Sequence, residues 1–205
     1  MGYLLKNFSA GLISEPRIWP AVWYPTNIFD HCKAAKDLIK AGVDIYVSQE
    51  TIDALGLAGH RAQAIKAKEQ FTLGTWTVIS FTLEHDVPNL GFLLASGDEK
   101  LAYITDSAYC RFKFSGLTHL MVEANYSMPI LRENVASGAV PVEMKNRLLR
   151  SHMSVETALE MIRTNDNSRL KEIHLIHLSD GNSNAEEFKR RAQECTGKPV
   201  YVAGK

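Results

Sequence analysis

The hydrophobic pattern of the chain changes character at Asp30. Before it, residues 1–29 scatter Trp19, Trp23, Tyr24 and Phe29 among Pro16, Pro20 and Pro25, with neither a period of two nor one of 3.6. Proline at this density prevents a long helix and favours extended or turn backbone. The aromatic residues can pack onto the main body or offer a surface to a partner. From Asp30 onward the periods are regular. Ala35, Leu38 and Ile39 share one side of a predicted helix over Cys32–Ala41, with Lys33, Lys36 and Lys40 outside and Gly42 as its stop. Asp44–Ser48 reads as a short strand, Gln49–Leu55 as a short helix, and Gly59–Glu69 as a charged linker. Thr75–Leu83 alternates apolar residues with Thr and Ser, as a half-buried strand does. Gly91–Ala95 and Leu101–Thr105 flank Ser96-Gly97-Asp98-Glu99-Lys100, which predicts a hairpin.

The second half mixes the two periods. Thr118–Glu123 is a strand, and helical patterns follow over Pro129–Ala136, Val142–Arg150 and Val155–Thr164. Ile173–Leu178 is a nearly continuous apolar strand. Ser183-Asn184-Ala185-Glu186 fits a capping box for a helix running to about Cys195. Gly197 ends that helix and Pro199–Ala203 is a last strand. The pattern predicts an irregular segment over residues 1–29 and one α/β domain over residues 30–205.

Composition narrows the function classes. Lys plus Arg equals Asp plus Glu at 23 each, so no global field recruits a polyanion and any nucleic-acid contact must be local. Three scattered cysteines, Cys32, Cys110 and Cys195, argue against a disulfide framework and for a reducing cytoplasm. No run of about 18 apolar residues predicts a membrane span, and no signal peptide is expected. The sequons at Asn7 and Asn125 are expected to be fortuitous.

The chemistry-bearing residues collect where strands end. Asp106 follows the Leu101–Thr105 run, His85-Asp86 follows Thr75–Leu83, and His177 leaves the last long strand into Ser179-Asp180-Gly181-Asn182. Asp30-His31 precedes the first helix. Each has an ordinary alternative: Asp30 can simply cap its helix, and His85 can be a hydrogen-bonded loop residue. Their order points to a metal site converging on Asp106. His152, within Ser151-His152-Met153-Ser154, is expected to open a helix, where a histidine can meet phosphate at the helix N-terminus. Arg147 and Arg150 can add phosphate contacts or lie on a solvated face. Glu123 can orient a ligand histidine. His60, His119 and His174 fit no motif and are expected to be surface or satisfied core residues.

Taken together, Asp30-His31-Cys32-Lys33, Leu83-Glu84-His85-Asp86, Ile104-Thr105-Asp106-Ser107-Ala108, Glu123-Ala124-Asn125-Tyr126, Ser151-His152-Met153-Ser154 and Ile176-His177-Leu178-Ser179 with Asn182 resemble the metallo-β-lactamase-fold hydrolases. The likeness is to the tRNase Z-like and single-domain exonuclease or phosphodiesterase branch. It implies an αββα sandwich with zinc or manganese at one edge. In that family an HxHxDH motif supplies the first ligands, and here its Asp and final His are Asp30 and His31. His85 then matches the third ligand of the first site, Asp106 the bridge between two ions, and His177 the last ligand of the second site. The two leading histidines of the motif fall on Thr26 and Ile28, which hold a metal poorly or not at all. The resemblance therefore implies one firmly held ion and a second held weakly or not at all. The family also carries several strands where residues 1–29 stand here, so its N-terminal strands read as reduced or replaced. The implied activity is phosphodiester hydrolysis of a nucleic acid or cyclic nucleotide, with Asp30 and His152 as catalytic residues. An inactive binding protein of the same fold is the alternative. No membrane partner is implied, and oligomerisation stays open.

Overall fold

The computed structural model describes residues 34–203 and, as backbone, the strand Ala21–Trp23. In chain order the elements are β1 (Ala21–Trp23), α1 (Ala35–Lys40), β2 (Asp44–Val47), α2 (Gln49–Leu55), β3 (Ala62–Ala64), β4 (Gln70–Leu73), β5 (Trp76–Leu83), β6 (Asn89–Ser96), β7 (Glu99–Ile104) and β8 (His119–Glu123). There follow α3 (Met128–Ala136), α4 (Val142–Ser151), α5 (Val155–Asn165), β9 (Glu172–Ile176), α6 (Ala185–Thr196) and β10 (Val200–Val202). The strands form a three-stranded parallel sheet, β1-β2-β3, and a seven-stranded sheet in the order β10-β9-β8-β7-β6-β5-β4. The large sheet is antiparallel from β4 to β7 and parallel from β7 to β10.

The period of two in the sequence sorts these strands into two faces. Ala102 and Ile104 of β7, Leu120 and Val122 of β8, and Ile173 and Leu175 of β9 point to one side, where Leu159 and Ile162 of α5 and Phe188 of α6 cover them. Their alternates Leu101, Met121 and Ile176 point to the other side with Val78, Phe92 and Ile65, against Tyr46 of the small sheet. Ile45 and Val47 of β2 turn their own second face to Ala35, Leu38 and Ile52 of α1 and α2. The layers are thus helices, small sheet, large sheet, helices.

Local chemistry sets the element ends. Ser48 caps α2 by accepting the Thr51 N–H at 3.3 Å, and Ser154 caps α5 through Thr157 at 3.2 Å. The capping box expected at Ser183 is displaced by one residue. Asn184 accepts the Glu187 N–H at 3.1 Å, while Ser183 donates to the Ser179 carbonyl at 2.5 Å. The linker expected over Gly59–Glu69 contains β3, a three-residue strand whose partly exposed residues leave no alternating signal. The helix expected to begin at Cys32 is described only from Ala35. The strand expected to reach Leu178 ends at Ile176, because His177 adopts a left-handed φ of 56°. His152 does not open a helix: it follows α4 in extended backbone, φ −133° and ψ 153°, two residues before the Ser154 cap. No helix among the described residues is long and apolar enough to cross a membrane. Asn125 is buried, with its side-chain amide bonded to the His177 carbonyl, so its sequon is not offered to solvent.

One close approach is sensitive to a single methyl group. Gly91 pairs with Phe81 across β5 and β6, and a Cβ at position 91 would lie 2.4 Å from the Phe81 ring. That ring is itself fixed against Phe112 and Phe114, at centroid distances of 5.3 and 5.1 Å. Gly91→Ala should therefore cost about 1–3 kcal/mol in urea unfolding. The double variant with Phe81→Leu should lose less than the sum of the two single changes; strict additivity would refute this packing account.

Candidate metal centre

The direction of the strands decides where the polar residues meet. β7, β8 and β9 run parallel, and β5 runs the same way because two antiparallel pairings separate it from β7. The C-terminal ends of all four lie along one edge of the large sheet. Asp106, Glu123 and His177 follow from β7, β8 and β9, and His85 stands two residues beyond β5. Loops leaving such an edge are where an open α/β sheet presents ligand-binding groups.

Two turns aim the side chains. Asp106 has φ 49° and His177 φ 56°. The left-handed region costs an L-residue about 1–2 kcal/mol, although Asp and His tolerate it better than most. In each case a buried asparagine holds the turned backbone. Asn89 donates to the carbonyls of Thr105 and Asp106, at 2.9 and 2.5 Å. Asn125 donates to the carbonyl of His177 at 2.8 Å.

The side chains then converge. The carboxylates of Asp106 and Glu123 are fully buried. His177 Nδ1 lies 2.9 Å from Asp106 Oδ1 and 3.0 Å from Glu123 Oε1. His152 Nδ1 lies 2.7 Å from the same Glu123 oxygen, and the second Glu123 oxygen accepts the Ser107 N–H at 2.8 Å. Asp106, Glu123, His152 and His177 each offer a ligand atom within 4.8 Å of the others. His85 packs beside them, its ring 5.5 Å from that of His152, which is in turn 5.1 Å from that of His177. Asp30 and His31, like Thr26 and Ile28, lie outside the described residues.

The electrostatics of this cluster suit a cation. Burial disfavours the charge on His177, but its hydrogen bonds to Asp106 and Glu123, reinforced by their negative charge, outweigh it and raise the pKa to about 10. Burial pushes the His85 imidazole the other way, below its ordinary value, against the opposing pull of Asp86 and Asp106. His85 Nδ1 sits 2.8 Å from the Ser151 carbonyl, an acceptor only, so Nδ1 carries the proton of the neutral ring. The lone pair is then on Nε2, which is buried, forms no hydrogen bond among the described residues, and lies 3.3 Å from Asp86 Oδ1. Two acceptors facing each other without a proton between them, beside two buried carboxylates, form a donor set that fits a divalent ion of the zinc or manganese type.

Sequence reasoning named His85, Asp106, His152 and His177, and the structure brings these four together. It undervalued Glu123, whose signal, an acid at the exact end of an apolar strand, was the same as that of Asp106. Asn89 and Asn125 carried no ligand-type signal. Arg147 is turned toward the site edge, 3.2 Å from Asp86 Oδ2, whereas Arg150 donates to the Asn146 carbonyl of its own helix.

The layering and the polar cluster at the strand ends define the metallo-β-lactamase fold. The chain belongs to the beta-lactamase superfamily, whose domain profile matches residues 26–175. A search of curated protein sequences finds no match. Among solved structures, the chain is similar to the metallo-beta-lactamase fold protein YhfI from Bacillus subtilis, with a TM-score of 0.68 and 16% identity over 91% of this chain and 75% of that one. It is also similar to Zn(2+)-bound PqqB from Methylobacterium extorquens, with a TM-score of 0.65 and 14% identity over 90% and 71%. Igni18, a metallo hydrolase from the archaeon Ignicoccus hospitalis, gives a TM-score of 0.61 and 12% identity over 89% and 75%. Identities this low establish the fold alone.

The raised pKa of His177 has two measurable consequences. In metal-free protein its charge stabilises the fold fully below pH 6.5, its ordinary pKa, and that contribution declines as pH rises toward about 10. A histidine ligates a metal only as the neutral imidazole, so binding zinc at pH 8 should release about one proton from His177. Calorimetric titration in buffers of different ionisation enthalpy reads this directly, and His177→Gln should abolish the proton release. Zinc uptake without proton release would exclude His177 as a ligand.

Proposed function

We propose that the protein is a metal-dependent hydrolase of phosphodiester bonds that works with one firmly held zinc or manganese ion. The observation that carries this reading is the Asp106–Glu123–His152–His177 cluster, its two carboxylates buried at the strand ends and its two imidazoles partly open. Asp106, His177 and His85, joined by Asp30 and His31, are the proposed ligands. An ion held there supplies Lewis acidity and lowers the pKa of a water bound to it.

The remaining chemistry belongs to the chain. Glu123 accepts a hydrogen bond from His152 Nδ1 and so fixes the orientation of the ring, leaving Nε2 to serve the proton transfer. A phosphodiester releases an alkoxide, which needs a proton as it leaves. His152 is proposed to give it. Ser107, by donating to the other oxygen of Glu123, keeps that carboxylate oriented behind the imidazole. Asp30 was expected on resemblance to act in catalysis as well as ligation, and that role is retained within the proposal. Arg147, paired with Asp86 at the edge of the site, supports a phosphate-facing wall.

The two roles separate experimentally. Purified protein supplied with zinc or manganese should hydrolyse bis-p-nitrophenyl phosphate. Asp106→Ala should lose both bound metal and turnover. His152→Gln should keep its metal and lose about 10²–10⁴-fold in kcat on an alkyl phosphodiester, whose alkoxide needs a proton, and far less on bis-p-nitrophenyl phosphate, whose phenolate leaves without one. Metal loss on changing His152 would make it a ligand rather than the proton donor. A metal-loaded wild-type protein with no turnover on any phosphodiester would sink the substrate assignment.

A further inference from the structure

Of the five large apolar side chains that stand exposed among the described residues, three lie on α4: Val142, Met144 and Leu149. This helix is attached to the body along one side. Ser151 is buried, Leu148 is half-buried, and Arg147 reaches Asp86. At 100° per residue, the opposite face carries Val142, Asn146 and Leu149, with Glu143 and Arg150 along one of its edges. All five are exposed. Met144 falls on the body side and takes no part in this face.

The arrangement along that face is self-complementary. Glu143 and Arg150 lie two helical turns apart on the same edge, at opposite distances from the helix midpoint between Asn146 and Arg147. Two such helices related by a two-fold axis through that midpoint run antiparallel. Glu143 of each copy is then level with Arg150 of the other, twice over. Val142 meets Leu149 of the other copy on either side of a central Asn146–Asn146 contact. Among the described residues neither Glu143 nor Arg150 forms an ion pair, and Arg150 donates only within its own helix. A polyanion would be repelled by Glu143 at this edge, whereas a second copy uses both charges. Like charges at the two ends would have forbidden the same pairing.

We propose that the outer face of α4 is an isologous dimer interface for a second copy of this chain. It does not depend on the metal or on the activity. A contact centred on one ten-residue helix is small, so the dimer is reversible and concentration-dependent. Because His152 follows α4 directly, the interface ends at the chain segment that enters the candidate metal centre.

Sedimentation velocity on the full chain tests this. Wild-type protein should show a monomer–dimer equilibrium. Glu143→Arg and Arg150→Glu should each weaken it at least about tenfold, since each places like charges opposite one another twice. The double reversal E143R/R150E should restore it, and Val142→Asp should abolish it. All three positions are exposed, and circular dichroism verifies that each variant is folded. A wild-type chain that stays monomeric at its solubility limit overturns the proposal. So does a dimer indifferent to these changes, or one that the double reversal fails to recover.

Discussion

Two carboxylates buried side by side are the constraint around which this fold is arranged. Asp106 and Glu123 leave adjacent parallel strands with no exposed side-chain surface. Removing two like charges from water is costly unless positive groups and hydrogen bonds answer them closely. The chain answers with imidazoles, His177 contacting both acids and His152 contacting Glu123. That arrangement fixes the positions of three strand ends relative to one another. The backbone takes left-handed turns at Asp106 and His177, the two residues whose side chains meet over the sheet edge.

The two asparagines show how that geometry is held. Neither Asn89 nor Asn125 approaches as a ligand; each binds the carbonyl of a residue whose backbone has been forced out of extended conformation. A strained residue persists only where its surroundings over-determine it. Here the restraint comes from neighbouring loops, Asn89 opening β6 and Asn125 following β8. The accuracy of the site is therefore a property of several strand ends acting together.

Much of this was legible in the sequence because strands that end in acid or histidine combine two strong signals, an apolar β-prone run and an abrupt polar stop. Asp106, His85 and His177 stood out for that reason, and the mixed α/β character followed from the same runs, whereas the αββα layering rested on the family resemblance. What was not legible has physical causes. β3 is a three-residue edge strand with two exposed residues, and β4, although Phe71 and Leu73 alternate with Gln70 and Thr72, is only four residues long, so neither sustains a period far enough to register. His152 sits between two helices, and helical periodicity cannot say on which side of a boundary a residue falls. Asn184 rather than Ser183 caps α6 because Ser183 is taken by the Ser179 carbonyl, a tertiary contact with no local signature. Asn89 opens β6 opposite Leu83, the last residue of β5, and that strand-end position is what lets it reach the Asp106 carbonyl.

The opposite edge of the same strands offers an internal control on what makes a site. Glu99, His119 and Glu172 begin β7, β8 and β9, and His174 lies one turn of the pleat further on. These are the same residue types, with His119 3.5 Å from Glu99 and 3.6 Å from Glu172, and His174 3.0 Å from Glu172. Yet Lys171 pairs with Glu99, and both glutamates keep a share of solvent. There the chain supplies a permanent cation, and the cluster is an ion-pair network partly open to solvent. At the Asp106 edge the side chains described against the acids are imidazoles, which can surrender a proton, and solvent is excluded from both acids. Residue type is therefore a weak guide to a metal centre. What separates the two ends of this sheet is whether the negative charge is met by a group that can leave its place to an ion.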